Sequence, residues 1–361
     1  MKILTILGTR PEIIKLSPLI PLLDKEFEHT IVHTGQHYSY QMDKIFFEEL
    51  ELRDCEYILN VGSSTHAKQT ANMMVKIEKV LIKEKPDIIV VQGDTNSTLA
   101  GALTASKMNI PVVHVEAGCR SFDKSMPEEI NRIITDHCSD LLFAPDNQAF
   151  KNLINEGINE NQIYIVGNTS IDACIRIMEI SSYDILKKLN LEKNEFALLT
   201  IHRQENTEHE KLKDILKAIN EISEKMKIVF PIHHRTKKVI DNYNIKLSEN
   251  IILTPPLGYK DFVGLLSNSK LVMTDSGGIQ EEAAVLNVPC LILRDNTEWG
   301  YLVEIGKNML IGSNYNKIME KVEVLMNNKT LLDNMRNIRA PIKVGAAKKI
   351  VDILMEVNTN L

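Results

Sequence analysis

No apolar run in this sequence is longer than a strand, so no segment is long enough to span a membrane. The first ten residues lack the apolar core of a signal peptide, because Arg10 and Glu12 interrupt it. The five cysteines, at 55, 119, 138, 174 and 290, are odd in number and form no Cys-x-x-Cys. They read as reduced packing residues of a cytoplasmic protein, not as a disulfide framework. Cys119 lies beside chemistry-bearing residues, but no base accompanies it in the sequence, which favours a packing role. Ten histidines contain no His-Glu-x-x-His and no other ligand spacing, so no metal is expected and no cofactor is called for. A formal net charge of −6 argues against a nucleic-acid surface, while leaving room for a local basic site that takes a small anion. Short repeats and low-complexity tracts are absent.

What is present is a soluble composition, 44% hydrophobic and 25% charged, at a length of 361 residues that suits two domains better than one core. The chain alternates strand, loop and helix. Strands are expected at Ile3–Leu7, Thr30–His33, Pro86–Val91, Val112–Val115, Leu141–Ala144 and Ile163–Val166. One helix is expected from the loop after the first strand to about Leu23. A polar stretch near 181–195 leads to a second series: Ala197–Ile201, Ile228–Ile232, Ile251–Leu253, Leu271–Met273, Cys290–Leu293 and Met309–Ile311. Three helical segments close the chain. Alternation of this kind predicts an α/β protein of two Rossmann-like, doubly wound parallel domains, with a ligand cleft where the strand ends of the two halves face each other.

The residues that follow the strands are unusually titratable. The first half supplies Arg10, Gln36-His37, Asp94 and Glu116; the second supplies His202-Arg203, His233-His234-Arg235, Ser276-Gly277-Gly278 and Arg294-Asp295. Asp94 and Glu116 end neighbouring strands, and paired carboxylates suit acid–base work. The competing reading is that Asp94-Thr95 caps the next helix. Glu128 and Glu129 open a helix on which only one can face the site; Glu128 also stands four residues before Arg132, an ordinary ion-pair spacing. His202 alone would more often be a packing histidine. His233 and His234, neighbours at a strand end, are expected to point opposite ways. Arg10 and Lys15 offer positive charge to a pyrophosphate, Lys15 with a packing role as the alternative.

The sharpest local signal is Leu271–Ala284, a strand, a small-residue turn and a helix start. Thr274, Asp275 and Ser276 read as turn and cap, and Gly277 and Gly278 admit a ligand close to the backbone. The helix N-terminus favours an anion. Glu281 and Glu282 are placed in its first turn, either as structural residues or within reach of a ribose.

Seven motifs in order resemble one family. They are Gly8-Thr9-Arg10-Pro11-Glu12, Gln92-Gly93-Asp94-Thr95, His114-Val115-Glu116-Ala117-Gly118, Pro127-Glu128-Glu129-Ile130-Asn131-Arg132, Gly167-Asn168-Thr169, His202-Arg203-Gln204-Glu205-Asn206 and Thr274-Asp275-Ser276-Gly277-Gly278-Ile279-Gln280-Glu281-Glu282. Together they resemble the non-hydrolysing UDP-N-acetylglucosamine 2-epimerases over about residues 1–313. The resemblance implies the glycosyltransferase GT-B-like fold, with 1–170 plus about 345–361 as one domain and 171–344 as the UDP-binding domain. It implies interconversion of UDP-N-acetylglucosamine and UDP-N-acetylmannosamine, by elimination of UDP to a 2-acetamidoglucal and re-addition. By motif match Asp94, Glu116, Glu128 and His202 become the catalytic set. Arg10, Lys15, His233, Ser276, Gly277, Gly278 and Glu282 become substrate-binding residues, and Phe262 lines the uracil pocket. Gln36, His37 and Gln69 match parts of a regulatory UDP-sugar site, with Lys68 where relatives often carry Arg. A UDP-sugar partner, a homodimer and a role in cell-surface polysaccharide precursors are likewise implied. One departure bears on the sugar: Thr297-Glu298-Trp299-Gly300-Tyr301 stands where Thr-Glu-Arg-Pro-Glu is usual. The Thr-Glu-Trp form resembles relatives acting on UDP-2,3-diacetamido-2,3-dideoxyglucuronate, which makes a 2-epimerase of that sugar the alternative. A glycosyltransferase of the same fold is less favoured, because transferases typically need one base where this chain has several carboxylates.

Overall fold

Short Val-, Ile- and Leu-rich runs that have no polar face must be covered on both sides, and here they form parallel strands between helices. The structure, a computed structural model, describes residues 1–36, 40–180 and 184–359. Two units emerge, Met1–Arg176 with Lys343–Leu361, and Ile177–Ile342. In the first, β1 (Lys2–Leu7), β2 (Glu28–His33), β3 (Tyr57–Ile58), β4 (Ile88–Gln92), β5 (Val112–Val115), β6 (Leu141–Ala144) and β7 (Ile163–Ile165) pair in the order β3-β2-β1-β4-β5-β6-β7. Every pairing is parallel. All residues of β4 and β5 are buried. Each fully buried Val, Ile or Leu among them is worth about 1.5–3 kcal/mol over an exposed one.

The second unit repeats the plan with β8 (Phe196–Thr200), β9 (Lys227–Pro231), β10 (Ile251–Thr254), β11 (Leu271–Thr274), β12 (Cys290–Ile292) and β13 (Asn308–Leu310), ordered β10-β9-β8-β11-β12-β13. Helices His209–Ser223 and Tyr315–Asn327 bury Leu212, Ile219, Ile318 and Val322 against one face. On the other face Leu265, Leu266 and Ala283 pack on Leu198 and Val272. In both sheets the strand order reverses beside the first strand, between β1 and β4 and between β8 and β11. That is where open α/β sheets take their ligands. Thr200 and Thr274 sit side by side in register with hydroxyls 2.6 Å apart, so β8 and β11 end level.

Two expectations need correcting. The single helix to Leu23 is two, Arg10–Leu16 and Ile20–Glu26. Pro18 and Pro21 lie at the break; proline has no N–H to give and its ring disfavours a continuous helix. The strand β3 and the helix Tyr40–Glu49 were not expected, a two-residue strand being too short to carry a periodicity. The closing helix Ala346–Thr359 is tied into the first unit by Asp172, which accepts from Gly345 N (2.7 Å) and Ala347 N (2.8 Å). Among the described residues no helix is long and apolar enough to cross a membrane.

The turn after β5 tolerates only glycine at 118. Its φ is +79°, and a Cβ would meet the Ala149 carbonyl oxygen at 2.3 Å. Gly118→Ala is expected to lower the unfolding free energy by about 2–4 kcal/mol, read from urea denaturation midpoints; a loss below about 0.5 kcal/mol would mean that the turn relaxes freely.

Candidate functional site

The first unit gathers charge beyond β1, β4 and β5. Glu12, buried on the helix after β1, accepts from Gly8 N (3.0 Å), Thr9 Oγ1 (2.8 Å), Thr95 Oγ1 (2.8 Å) and Thr98 Oγ1 (3.1 Å). Burial raises its pKa against these four donors. It thereby joins the loop after β1 to the start of the helix after β4. Thr95, not Asp94, caps that helix by accepting from Thr98 N. Asp94 is left to pair with the Arg132 guanidinium, while Asn131 Nδ2 holds its backbone carbonyl at 2.9 Å. Glu116 sits at φ +71°, a left-handed conformation that costs a non-glycine residue about 1 kcal/mol or more. Its carboxylate accepts from Lys15 Nζ at 2.6 and 2.8 Å and from Gln92 Nε2 at 2.6 Å. Burial works against the Lys15 charge, but Glu116, with Asp94 beyond it, outweighs burial and raises the lysine pKa. The Cys119 thiol, half-buried beside Glu116, is pushed far up by desolvation and that carboxylate.

Under these loops lies a second buried hub. Asp136 accepts from Gly118 N (3.1 Å) and pairs with His114 Nδ1 (2.6 Å) and Arg120 (2.7 Å). His114 Nε2 reaches the Gly93 carbonyl at 2.7 Å, so one ring links the turns carrying Asp94 and Glu116.

In the second unit the helix Gly277–Val285 begins directly after β11, with Ser276 at its N-cap position making no side-chain cap bond. Its first N–H groups and its dipole end therefore remain available to an anion. Asp275, wholly buried, accepts from His202 N (3.1 Å), Arg203 N (3.0 Å) and Asn206 Nδ2 (3.3 Å), and pairs with His202 Nδ1 (3.0 Å). Burial opposes its charge, yet His202 and these N–H groups hold its carboxyl below the usual range. His202 is thus fixed through one nitrogen while 44% of its side chain stays exposed. Glu298 lies between Arg203 (2.9 Å) and Arg294 (2.7 Å), whose charges outweigh burial and hold it down to about 2. Trp299 Nε1 donates to Gly277 O at 2.9 Å. A Cβ at Gly277 would lie 3.5 Å from Glu298 Oε2, whereas nothing lies within 4 Å of one at Gly278.

Residues 23–355 match a family model described as UDP-N-acetylglucosamine 2-epimerase. The chain belongs to that family. It is 50% identical over 368 residues to the UDP-N-acetylglucosamine 2-epimerase of Methanocaldococcus jannaschii, covering 98% of this chain and 99% of that one. It is 43% identical over 340 residues to the UDP-2,3-diacetamido-2,3-dideoxy-D-glucuronate 2-epimerase of Pseudomonas aeruginosa, covering 92% and 94%. Among solved structures, the M. jannaschii enzyme in complex with UDP-GlcNAc and UDP superposes with a TM-score of 0.81 at 50% identity, covering 99% of this chain and 100% of that one. The two Rossmann-like units are therefore those of a GT-B-like fold, and the chain is an epimerase.

Against the expected epimerase site, the structure draws Asp94, Glu116 and Lys15 into one cluster. Glu128 is exposed at the start of the helix Pro127–His137. Its expected pairing with Arg132 is not made; Arg132 turns to Asp94 and to the buried Glu129, which also accepts from Ser121 N and Phe122 N. Arg10 stacks over Phe46 at 4.7 Å. Glu281 and Glu282 lie in the second turn of their helix, because it already begins at Gly277. Glu282 accepts from Tyr259 OH at 2.9 Å, and burial pushes its carboxyl up to about 7 against that bond. His233 and His234 do not diverge: β9 ends at Pro231, His233 is already a helix N-cap, and the two rings lie 4.0 Å apart. His233 is 6.2 Å from His202, and burial with its histidine neighbours lowers its pKa. Phe262 rests half-buried on the apolar core. Gln36 and Gln69 are buried: Gln36 Oε1 accepts from Ser97 N and Oγ, and Gln69 bridges Gln36 O, Gly62 O and Asn96. A regulatory ligand would have to displace these bonds. His37 lies outside the described residues.

Sequence reading missed Gln92, Arg132 and Tyr259 as partners, and took Asp275 for a turn residue. Only Arg132 carried a signal, in its helix spacing, and that spacing pointed to the wrong carboxylate. Asp275→Asn is expected to lower stability by about 2 kcal/mol at pH 7, where the carboxylate bonds are complete. Because its folded pKa is depressed, this contribution is intact above the unfolded pKa near 3.8 and fades as pH falls through the lower folded value. The variant should lack that acid-side loss. Equal urea midpoints for both proteins at pH 7 would remove Asp275 as the anchor of His202.

Proposed function

We propose that the enzyme interconverts UDP-N-acetylglucosamine and UDP-N-acetylmannosamine without net hydrolysis. A base removes the C2 proton as the C1–O bond to UDP breaks, giving 2-acetamidoglucal and UDP. Protonation of C2 on the other face and return of the UDP oxygen to C1 complete the cycle. C2–H is weakly acidic, so a positioned base and a stabilised leaving group are both needed. The observation that supports this most is the Glu116 carboxylate, held in a strained backbone conformation by Lys15 and Gln92 beside the Asp94–Arg132 pair. Asp94, Glu116 and Glu128 act in proton transfer, with Lys15 holding the Glu116 carboxylate in place. In the second unit His202 meets the departing phosphate. Ser276, Gly277 and Gly278 hold the pyrophosphate with Arg10. Glu282 takes the ribose, and Phe262 and His233 line the nucleotide.

A second reading rests on Trp299 and on the 43% identity to the P. aeruginosa enzyme. In it the sugar is UDP-2,3-diacetamido-2,3-dideoxyglucuronate. Incubation with each UDP-sugar in deuterated water decides: deuterium at C2 and the epimeric product appear with the true substrate. Failure with UDP-N-acetylglucosamine alone would move the assignment to the diacetamido sugar. The same reading makes the protein a cytoplasmic homodimer that supplies polysaccharide precursors. Its five free cysteines suit a reducing compartment, and sedimentation equilibrium tests the dimer.

Asp94→Asn and Glu116→Gln should each reduce kcat by about 100- to 10,000-fold while UDP still binds; full turnover in both would remove the carboxylates from the mechanism. Glu282 adds a pH signature. Only its ionised form accepts both ribose hydroxyls, so UDP affinity should rise between pH 6 and 8, around its pKa of about 7. Titration calorimetry should show a several-fold gain that is absent in Glu282→Gln. In Tyr259→Phe, which loses the donor that lowers this pKa, the midpoint should move upward; an unmoved midpoint would dissociate Tyr259 from Glu282.

A further inference from the structure

At the opposite end of the second sheet's strands, a cavity of about 390 Å3 opens before β8 and β11. Asn194 and Lys270, just before those strands, form one side; Lys329, Asp333 and Arg336 on the helix Lys329–Asn337 form the other. Arg336 is held in place: Nη1 donates to Asn194 Oδ1 (2.7 Å) and Nη2 to Lys270 O (2.9 Å), which leaves its remaining N–H donors for the cavity. Behind it lies Lys307, fully buried, with Nζ donating to Arg336 O (3.0 Å) and Asn287 Oδ1 (3.2 Å), both neutral acceptors. Burial, and then the Arg336 charge, pushes Lys307 down to about 8.

Several other cations withdrawn from solvent are paired with acids. Lys15, Arg120, Arg132 and Arg294 each meet a carboxylate. Among the described residues, no carboxylate lies within ion-pair distance of Lys270, Lys307, Lys329 or Arg336. Three lining cations against the single Asp333, with Lys307 behind them, leave the wall short of negative charge. Lys270 and Arg336 are half-buried and Lys329 is exposed, and a bound anion would supply the counter-charge that none of the three finds among the described residues. A carboxylate would satisfy one cation, whereas a phosphate monoester, with about −1.5 to −2 charges and three acceptor oxygens, matches the three that line the cavity. The rest of the lining is apolar, from Leu271, Leu325 and Leu332.

We propose that this cavity is a second ligand site, which binds a small organic phosphate with its phosphoryl group on Lys270, Lys329 and Arg336 and its carbon body against the leucines. The site is independent of the epimerase reaction, lying at the other end of the strands from His202 and Ser276.

The full-length protein, with and without saturating UDP, is titrated calorimetrically at constant ionic strength with phenyl phosphate and with inorganic phosphate. Saturable phenyl phosphate binding, unaffected by UDP and at least about ten-fold tighter than inorganic phosphate, is expected. Because Arg336 also braces the backbone, the variant is Lys270→Gln with Lys329→Gln. It should weaken binding by at least about ten-fold, with the urea midpoint and UDP affinity unchanged. No saturable binding up to about 10 mM, or equal affinity in the double variant, would overturn the site. Equal affinity for the two phosphates would overturn the organic ligand. Competition by UDP would show that the probe occupies the nucleotide site and would overturn the proposal.

Discussion

A buried carboxylate bridging the loops beyond two neighbouring strands is the interaction on which both halves of this protein depend. In the first unit it is Glu12, collecting four donors from the loops after β1 and β4. In the second it is Asp275, collecting backbone and side-chain donors from the loop after β8 while itself following β11. These are equivalent places, each at the reversal of strand order. A loop at such a point must present its backbone N–H groups to something, since leaving them buried and unmade costs more than a made bond returns. One acidic side chain satisfies several at once and fixes the loops relative to each other. The functional groups are then carried on loops that cannot drift.

The units use this rigidity to different chemical ends. The first places carboxylates at its strand ends and balances each with a cation, Glu116 with Lys15 and Asp94 with Arg132. The strain at Glu116 is offset by the Lys15 and Gln92 bonds and by its N–H on Phe143 O. The second places a helix N-terminus, two arginines and an exposed histidine face, a surface that takes negative charge. Glu298, with both arginines on it, shows what an anion finds there. Paired carboxylates and anion-attracting groups are thereby kept on separate units, each with its own electrostatics.

Much of the fold was legible because parallel strands covered on both faces are uninterrupted apolar runs, and β4, β5, β8 and β11 are such runs. Candidate residues were legible for the same reason: they follow the strands directly, so finding strand ends found Asp94, Glu116, His202 and Ser276. The pairing of those residues was not. Arg132 stands four residues after Glu128 and yet turns to Asp94, across 38 positions. His233 and His234 obeyed helix geometry where strand alternation was expected, because β9 ended sooner. Glu282 lay one turn deeper in its helix, where burial against Tyr259 changes its acidity.

By itself, then, the sequence determined the class of architecture, which titratable residues follow the strands and, through seven ordered motifs, the family. These are local properties, written in periodicity and in which residue follows a strand. The tertiary structure alone decided which carboxylate meets which cation, that Asp275 is an anchor and Thr95 the cap, and that Lys307 is buried without a counter-charge. Those facts depend on distances between residues far apart in the chain. In a low-dielectric interior, the free energy of a charge is set by such neighbours and not by the identity of the residue that bears it.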